Sequence, residues 1–274
     1  MKQLNPLAGL RGVAAYSVLI AHSISVSFLF SGVSPFSAYS GRLAYFGMSL
    51  FFILSGFVIH YNYASLIRSE GYMKGGYQFI AARIARLYPL YAMALFFGLD
   101  CLPSSVFHNK QWAELAFITM TQSWFNLQMT SFPPAWSIST EWFFYFAFLL
   151  LLPLLERIKG SLIVLGVFLA ITFFILPYFI QLQAHLFVND GGWAVYFSPF
   201  TRVFDFVGGI LASKVYLSSQ DVKSHSSLRV NMAILCSVAW CAVIILFDPF
   251  SGNRFSILLS NFIYTPAIAP LLYV

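Results

Sequence analysis

Apolar residues in this chain come in long, nearly unbroken runs separated by short polar breaks. That pattern differs from the alternating or three-and-four spacing of a half-buried soluble element. Runs of spanning length cover Leu10–Phe30, Leu43–Tyr63, Ala81–Leu102, Pro134–Leu155, Ser161–Ile180, Pro199–Leu217, Val230–Phe247 and Ser256–Val274. As helices, they match a hydrocarbon core of roughly 30 Å. A further stretch, Trp112–Met129, is interrupted by Glu114, Gln122, Asn126 and Gln128. It reads as interfacial, re-entrant or a weak span. No internal repeat is visible. The predicted fold is all-α, a polytopic transmembrane helix bundle of about 8–9 spans, forming a single membrane domain over 1–274.

Lys and Arg bias arbitrates the ambiguous stretch. If Trp112–Met129 does not span and the N-terminus is cytoplasmic, Lys2, Arg68, Lys74, Arg157, Lys159, Lys214, Lys223 and Arg229 fall on or near the cytoplasmic side. Arg42, Lys110 and Arg254 then fall outside. Counting the stretch as a span moves Arg157, Lys159, Lys223 and Arg229 outside and spoils the asymmetry. The non-spanning option is therefore the expectation.

Composition agrees. The chain is 59% hydrophobic and only 9% charged, against about 25% charged residues in soluble domains. A net charge of +6 is small and scattered. Without a basic stripe, nucleic acid is not an expected partner; the lipid bilayer is. Three cysteines form no disulfide framework. Cys236 and Cys241 would point about 140° apart on one helix. The five histidines lie on separate segments without ligand spacing, so no metal site is implied. Only Lys2 precedes the first run, and no small-residue cleavage site is obvious, so a retained span is expected rather than a signal peptide. The chain stops at Val274 inside an apolar run, which suggests a missing C-terminal segment.

Ionisable groups within spans are costly and mark functional candidates. His22 follows Arg11 at i+11, which on a helix returns to within about 20° of the same face and rises about 16 Å. An interfacial Arg11 would put His22 near the membrane midplane, where imidazole can take and return a proton. A packing histidine bonded to a neighbouring span is the competing reading. Glu141 lies seven residues beyond Pro134, about 10 Å into its helix from the opposite face, close to the depth of His22. Tyr145 at i+4 can donate a hydrogen bond to it. The plainer alternative is a carboxyl satisfied by Ser or Tyr hydroxyls. Arg83 and Arg86, i,i+3 neighbours at the inner end of the third run, suit a phosphate clamp. Positive-inside signalling with snorkelling explains them equally well. Gly47, Ser55 and Gly56 provide small residues for close packing. Arg202 and Asp205 read first as a structural ion pair, with an acceptor-facing role as the alternative.

In order along the chain come Leu7-Ala-Gly-Leu-Arg11-Gly-Val-Ala-Ala, His22, Phe46-Gly-Met-Ser-Leu-Phe-Phe-Ile-Leu-Ser55-Gly56-Phe, and Arg83-Ile-Ala-Arg86-Leu-Tyr-Pro89. Pro134-Ala-Trp-Ser-Ile-Ser-Thr-Glu141-Trp-Phe-Phe-Tyr145 and Arg202-Val-Phe-Asp-Phe-Val-Gly-Gly follow. Together they resemble the acyltransferase-3 family of integral-membrane acyltransferases that decorate bacterial surface and exported glycans, lipopolysaccharide among them. The family's Arg-x10-His motif falls on Arg11 and His22, and its Arg-x-x-Arg motif on Arg83 and Arg86.

The resemblance implies transfer of an acyl group, usually acetyl, from cytosolic acyl-CoA to a sugar hydroxyl of a polysaccharide or glycolipid. Acyl-CoA is then a co-substrate, and no permanently bound cofactor is implied. The implied place is the bacterial cytoplasmic membrane. The expected roles are catalytic for His22 and Glu141, and substrate-binding for Arg11, Arg83, Arg86, Ser55, Tyr145 and Arg202. Two departures stand out. Asp205 occupies a position where the family more often has Glu, and the family's closing helices are absent after Val274. A proton-coupled transporter or flippase, or an inactive truncated paralogue, are the alternatives. Oligomeric state is not legible.

Overall fold

The computed structural model describes residues 5–31, 37–98, 110–127, 133–188, 192–219, 227–247 and 264–265. Among them the chain forms helices α1 (Asn5–Ser31), α2 (Ser37–Glu70), α3 (Tyr72–Gly98), α4 (Lys110–Ile118), α5 (Trp136–Arg157), α6 (Leu162–Gln183), α7 (Pro199–Ser219) and α8 (Ser227–Phe247). No strand occurs among the described residues, so the all-α expectation holds there.

By length and apolarity, five segments among the described residues suit a membrane crossing: Leu7–Ser27, Ser40–Glu70, Tyr72–Phe97, Trp136–Arg157 and Leu162–Leu186. The predicted count of about 8–9 is not confirmed among the described residues. Helix α7 carries Arg202, Asp205 and Lys214 within its length, and among the described residues α8 counts as a shorter apolar helix over Ile234–Leu246. The run Ser256–Val274 lies outside the described residues except for Tyr264 and Thr265. Two helices outrun the apolar runs that predicted them. Helix α2 has 34 residues and α3 has 27, about 51 Å and 40 Å of rise against a core of roughly 30 Å. Their extra turns at this junction, residues 64–70 and 72–80, are more polar but contain no proline to stop a helix. The break between them falls at Gly71, which turns the chain at a φ of 83°.

Outward faces are apolar. Tyr16 and Leu19 on α1, Leu90, Phe96 and Phe97 on α3, and Ile163, Phe174 and Tyr178 on α6 are all exposed, as lipid-facing residues of a membrane protein are. Serines on α1 satisfy themselves against their own helix. Ser17, Ser23 and Ser25 donate to the carbonyls of Val13, Leu19 and Ala21 at 2.8, 2.9 and 3.0 Å, which removes the cost of an unpaired hydroxyl in hydrocarbon.

The chain divides into two compact units: residues 1–61, 159–177 and 204–274, and residues 62–158 and 178–203. In the first, helices approach closely at glycines. A Cβ on Gly47 would meet Val18 and the Ala14 carbonyl of α1. Gly56 and Gly209 form a reciprocal crossing of α2 and α7: a Cβ on the former would collide with the Phe206 carbonyl, and one on the latter with the Ile53 carbonyl. Both obstacles are backbone, so neither position can accept alanine without moving a helix. The small residues around Ser55-Gly56 thus serve packing. Beside this crossing, His60 Nδ1 lies 3.0 Å from the Ser213 hydroxyl.

In the second unit α3, α4 and α5 pack together with the short 3-10 turns Gln122–Phe125 and Pro133–Ala135. The ambiguous stretch proves to be broken. Helix α4 has nine residues, about 13 Å of rise, too short to cross a bilayer. Its end is closed by α3: the Tyr91 hydroxyl donates to the Phe117 carbonyl at 2.6 Å and that of Tyr88 to Ile118 at 3.4 Å. These satisfy carbonyls that a helix C-terminus leaves without intrahelical donors. Ala113, Ala116 and Phe117 are buried, while Trp112, Leu115 and Ile118 form an exposed stripe.

Candidate active site

The first unit carries Arg11, His22, Ser55 and Asp205. Helix α1 runs without interruption from Asn5 to Ser31, so Arg11 and His22 keep the shared face that their spacing predicts. Ala14, Ser17 and Ala21 form the buried stripe of α1, and His22 lies next along the helix, exposed, while Arg11 is partly buried. Ser55 is buried in α2. Asp205 is also buried, and its Oδ1 accepts a 2.5 Å hydrogen bond from the Thr265 hydroxyl. Thr265 also lies against Gly208, where a Cβ would come within 3.1 Å of its methyl group. Asp205 thus has a structural partner within its own unit that its spacing from Arg202 does not suggest.

The second unit carries Arg83, Arg86, Glu141, Tyr145 and Arg202. Sequence spacing presents Arg83 and Arg86 alike; the structure separates them. Arg86 is exposed, whereas Arg83 is 8% exposed inside a cage of rings. Its guanidinium carbon lies 4.6 Å from the centroid of Tyr63, 5.9 Å from Phe79 and 6.0 Å from Tyr145. An Nη2 hydrogen is donated to the Tyr63 hydroxyl. The Nε group has no hydrogen-bond partner among the described residues. Guanidinium tolerates such a place because it is weakly hydrated, planar and attracted to ring faces. Arg83 is accordingly no snorkelling surface residue.

Tyr145 joins this cage to Glu141. Its hydroxyl donates to Glu141 Oε2 at 3.0 Å, the i,i+4 bond that the sequence suggests, and its ring packs edge-on against Phe79 at 5.7 Å. A carboxylate, a phenol and a buried cation thus lie within one cluster of α3 and α5. Arg202 is fully buried. It donates from Nε to the Tyr196 carbonyl at 2.9 Å and stacks 4.8 Å from the Tyr196 centroid. These contacts hold the turn at Tyr196 against α7, and among the described residues Arg202 Nη2 makes no hydrogen bond.

Sequence reasoning missed the polar lattice that fixes the start of α5. Ser123 donates to Ser139 Oγ at 2.8 Å and lies 3.3 Å from the Thr140 hydroxyl. The Trp193 indole donates to the Ser123 carbonyl at 2.7 Å, and that of Trp124 to the Ser139 carbonyl at 3.1 Å. Gln122 Nε2 donates to the Ala135 carbonyl at 3.2 Å. The run Ser137-Ile-Ser-Thr-Glu141 hints at such a network, but its partners come from segments far away in sequence. Such a satisfied lattice fixes the backbone just before Glu141. Tyr63 was missed as well, having no motif around it. Among the described residues no three His, Cys, Asp or Glu side chains gather to hold a metal ion.

These features — apolar helices, a cationic cage and an intramembrane carboxylate — are those of a membrane protein with a built polar site. Comparison with curated protein sequences and with solved structures gives no match. The acyltransferase-3 family model, an acyltransferase domain, matches residues 6–274, and the chain belongs to that family of membrane acyltransferases.

Proposed function

We propose that this protein moves an acyl group, acetyl in the simplest case, from acyl-CoA at the cytosolic face to a hydroxyl of a surface or exported glycan or glycolipid. The protein then lies in the cytoplasmic membrane with its N-terminus inside. Arg83 and Arg86 bind the donor phosphates, for which guanidinium forks are suited, and Arg11 is a further substrate-binding residue. His22 takes the proton of the acceptor hydroxyl as that oxygen attacks the thioester carbonyl; the C–S bond breaks and the CoA thiolate recovers the proton. An alternative order has His22 take the acyl group first and pass it on. Glu141, with Tyr145 holding its carboxylate, is the second catalytic residue, a negative charge of the kind that serves acyl transfer. Arg202 and Ser55 complete the substrate-binding set.

The observation that carries this reading is the buried Arg83, with an unspent Nε donor, in one cluster with the Tyr145–Glu141 bond. A proton relay needs the carboxylate but has no use for a caged guanidinium with a free donor. Membranes containing the protein, fed acetyl-CoA labelled in the acetyl group, should place label on the glycan fraction above a control lacking the protein. A transporter would leave the glycan unlabelled, and that result would remove the reading.

A further inference from the structure

Two buried donors that meet at Arg83 have no acceptor among the described residues. Arg83 Nε–H is unpartnered among the described residues. Tyr63, only 5% exposed, accepts from Arg83 Nη2, so its own hydroxyl proton is not used in that bond. No acceptor for this proton occurs among the described residues. Both donors sit on one edge of the guanidinium, since Nε and Nη2 form the side fork with which arginine grips oxyanions. A neutral phenol occupying part of that fork leaves an arrangement that is short of one acceptor, and burying unspent donors is costly unless a ligand takes them. The rings of Tyr63, Phe79 and Tyr145 hold the fork in place. Tyr63 and Phe79 meet edge to face at 5.0 Å, and Tyr63 arrives from α2 rather than from the helix that carries Arg83.

We propose that Tyr63 is a donor-binding residue, whose hydroxyl shares one phosphate oxygen of the acyl donor with Arg83 Nε. This rests on the reading of Arg83 as a donor-phosphate ligand. The phenol accepts from Nη2 and donates to the phosphate, so the cation, the phenol and the anion form a closed ring of hydrogen bonds. Phosphate is the suited acceptor because no carboxylate pairs with the buried arginine among the described residues. An incoming anion therefore neutralises a charge that the cage only partly offsets. The sequence holds no clue to this role, since Tyr63 lies in an apolar run beyond any motif.

The test uses purified full-length protein in detergent or nanodiscs, with wild type, Tyr63→Phe and Arg83→Lys compared side by side. Phe keeps the ring, the stacking and the packing and removes only the hydroxyl. Tyr63→Phe should raise the Kd for acetyl-CoA about tenfold, the order expected for one hydrogen bond to a charged group. It should leave affinity for S-acetylpantetheine, which has the thioester and no phosphate, unchanged. In turnover the acetyl-CoA KM should rise while kcat stays within about twofold. A merely structural role would move both ligands together or lower kcat. Unchanged acetyl-CoA affinity in Tyr63→Phe, with Arg83→Lys weakened, would overturn the assignment of Tyr63 alone. Unchanged affinity in both variants would overturn the donor-site reading beneath it. Equal losses for acetyl-CoA and S-acetylpantetheine would overturn the choice of phosphate. Tyr63→Trp, which retains a ring and lacks a phenol, repeats the comparison should the Phe variant fail to accumulate.

Discussion

Replacing His22 by alanine should leave a protein that inserts and accumulates normally and transfers almost nothing. The side chain is exposed on α1, while the packing of that helix depends on Leu7, Ala14, Ser17 and Ala21. Truncating an exposed imidazole costs little stability, since surface changes away from special features usually fall within about 0.5 kcal/mol. Activity is another matter. Losing a general base typically costs about 10²–10⁴ in rate, and losing a covalent carrier costs more. Immunoblotting of membranes together with acyl-transfer rates checks both halves. A His22→Ala variant present at wild-type level and turning over near the wild-type rate would return His22 to the role of a helix-surface residue.

The second large effect separates the two arginines that spacing alone treats as equals. Arg83→Lys keeps the positive charge and hence any topology signal. It loses the fork, the planar stacking on Tyr63 and the fixed Nε. Acyl-CoA affinity should fall roughly ten- to a hundredfold, the range for charge-assisted hydrogen bonds lost from a buried site. Arg86→Lys should cost less than about tenfold, because an exposed ammonium still serves as a point charge beside a phosphate. Isothermal titration of purified protein with acetyl-CoA measures both. Equal, small effects at the two positions would mean that both serve orientation in the membrane rather than ligand binding.

Much of the architecture was readable from the chain because a bilayer constrains sequence so strongly. Pro134–Leu155 became Trp136–Arg157 with a shift of only a few residues at each end, since a proline and a basic residue bracket that apolar run. The i,i+4 relation of Glu141 and Tyr145 survived intact, because helical spacing is local geometry. Length was misjudged at α2 and α3, where polar turns continue a helix beyond the apolar run that announces it. Hydropathy reports where lipid is, not where hydrogen bonding stops. The run Pro199–Leu217 became helix α7 over Pro199–Ser219, with three ionisable residues inside it.

The site was legible residue by residue but not as an environment. Nothing near Arg83 in sequence says that it is buried. Its nearest ring comes from Tyr63, twenty residues earlier on another helix, and its link to Glu141 runs through Tyr145 on α5. Periodicity assigns faces to a helix; it does not say which neighbouring helix supplies the lining. For the same reason the Ser123–Ser139–Trp193 lattice escaped notice. Its members are ordinary residues that matter only through long-range pairing. Asp205 is the same case, with a partner in Thr265 from a distant part of the chain.

Sidedness tests the account most directly. Sealed inverted vesicles expose the cytosolic face, and sealed right-side-out vesicles expose the opposite one. Given labelled acetyl-CoA outside the vesicles, the inverted preparation should acylate its lumenal glycan. The right-side-out preparation, whose glycan faces outward and whose donor site faces the lumen, should label that glycan only after permeabilisation. His22→Ala vesicles of either orientation should stay unlabelled. Labelling of intact right-side-out vesicles at the rate of inverted ones would contradict donor entry from the cytosol and transfer across the membrane.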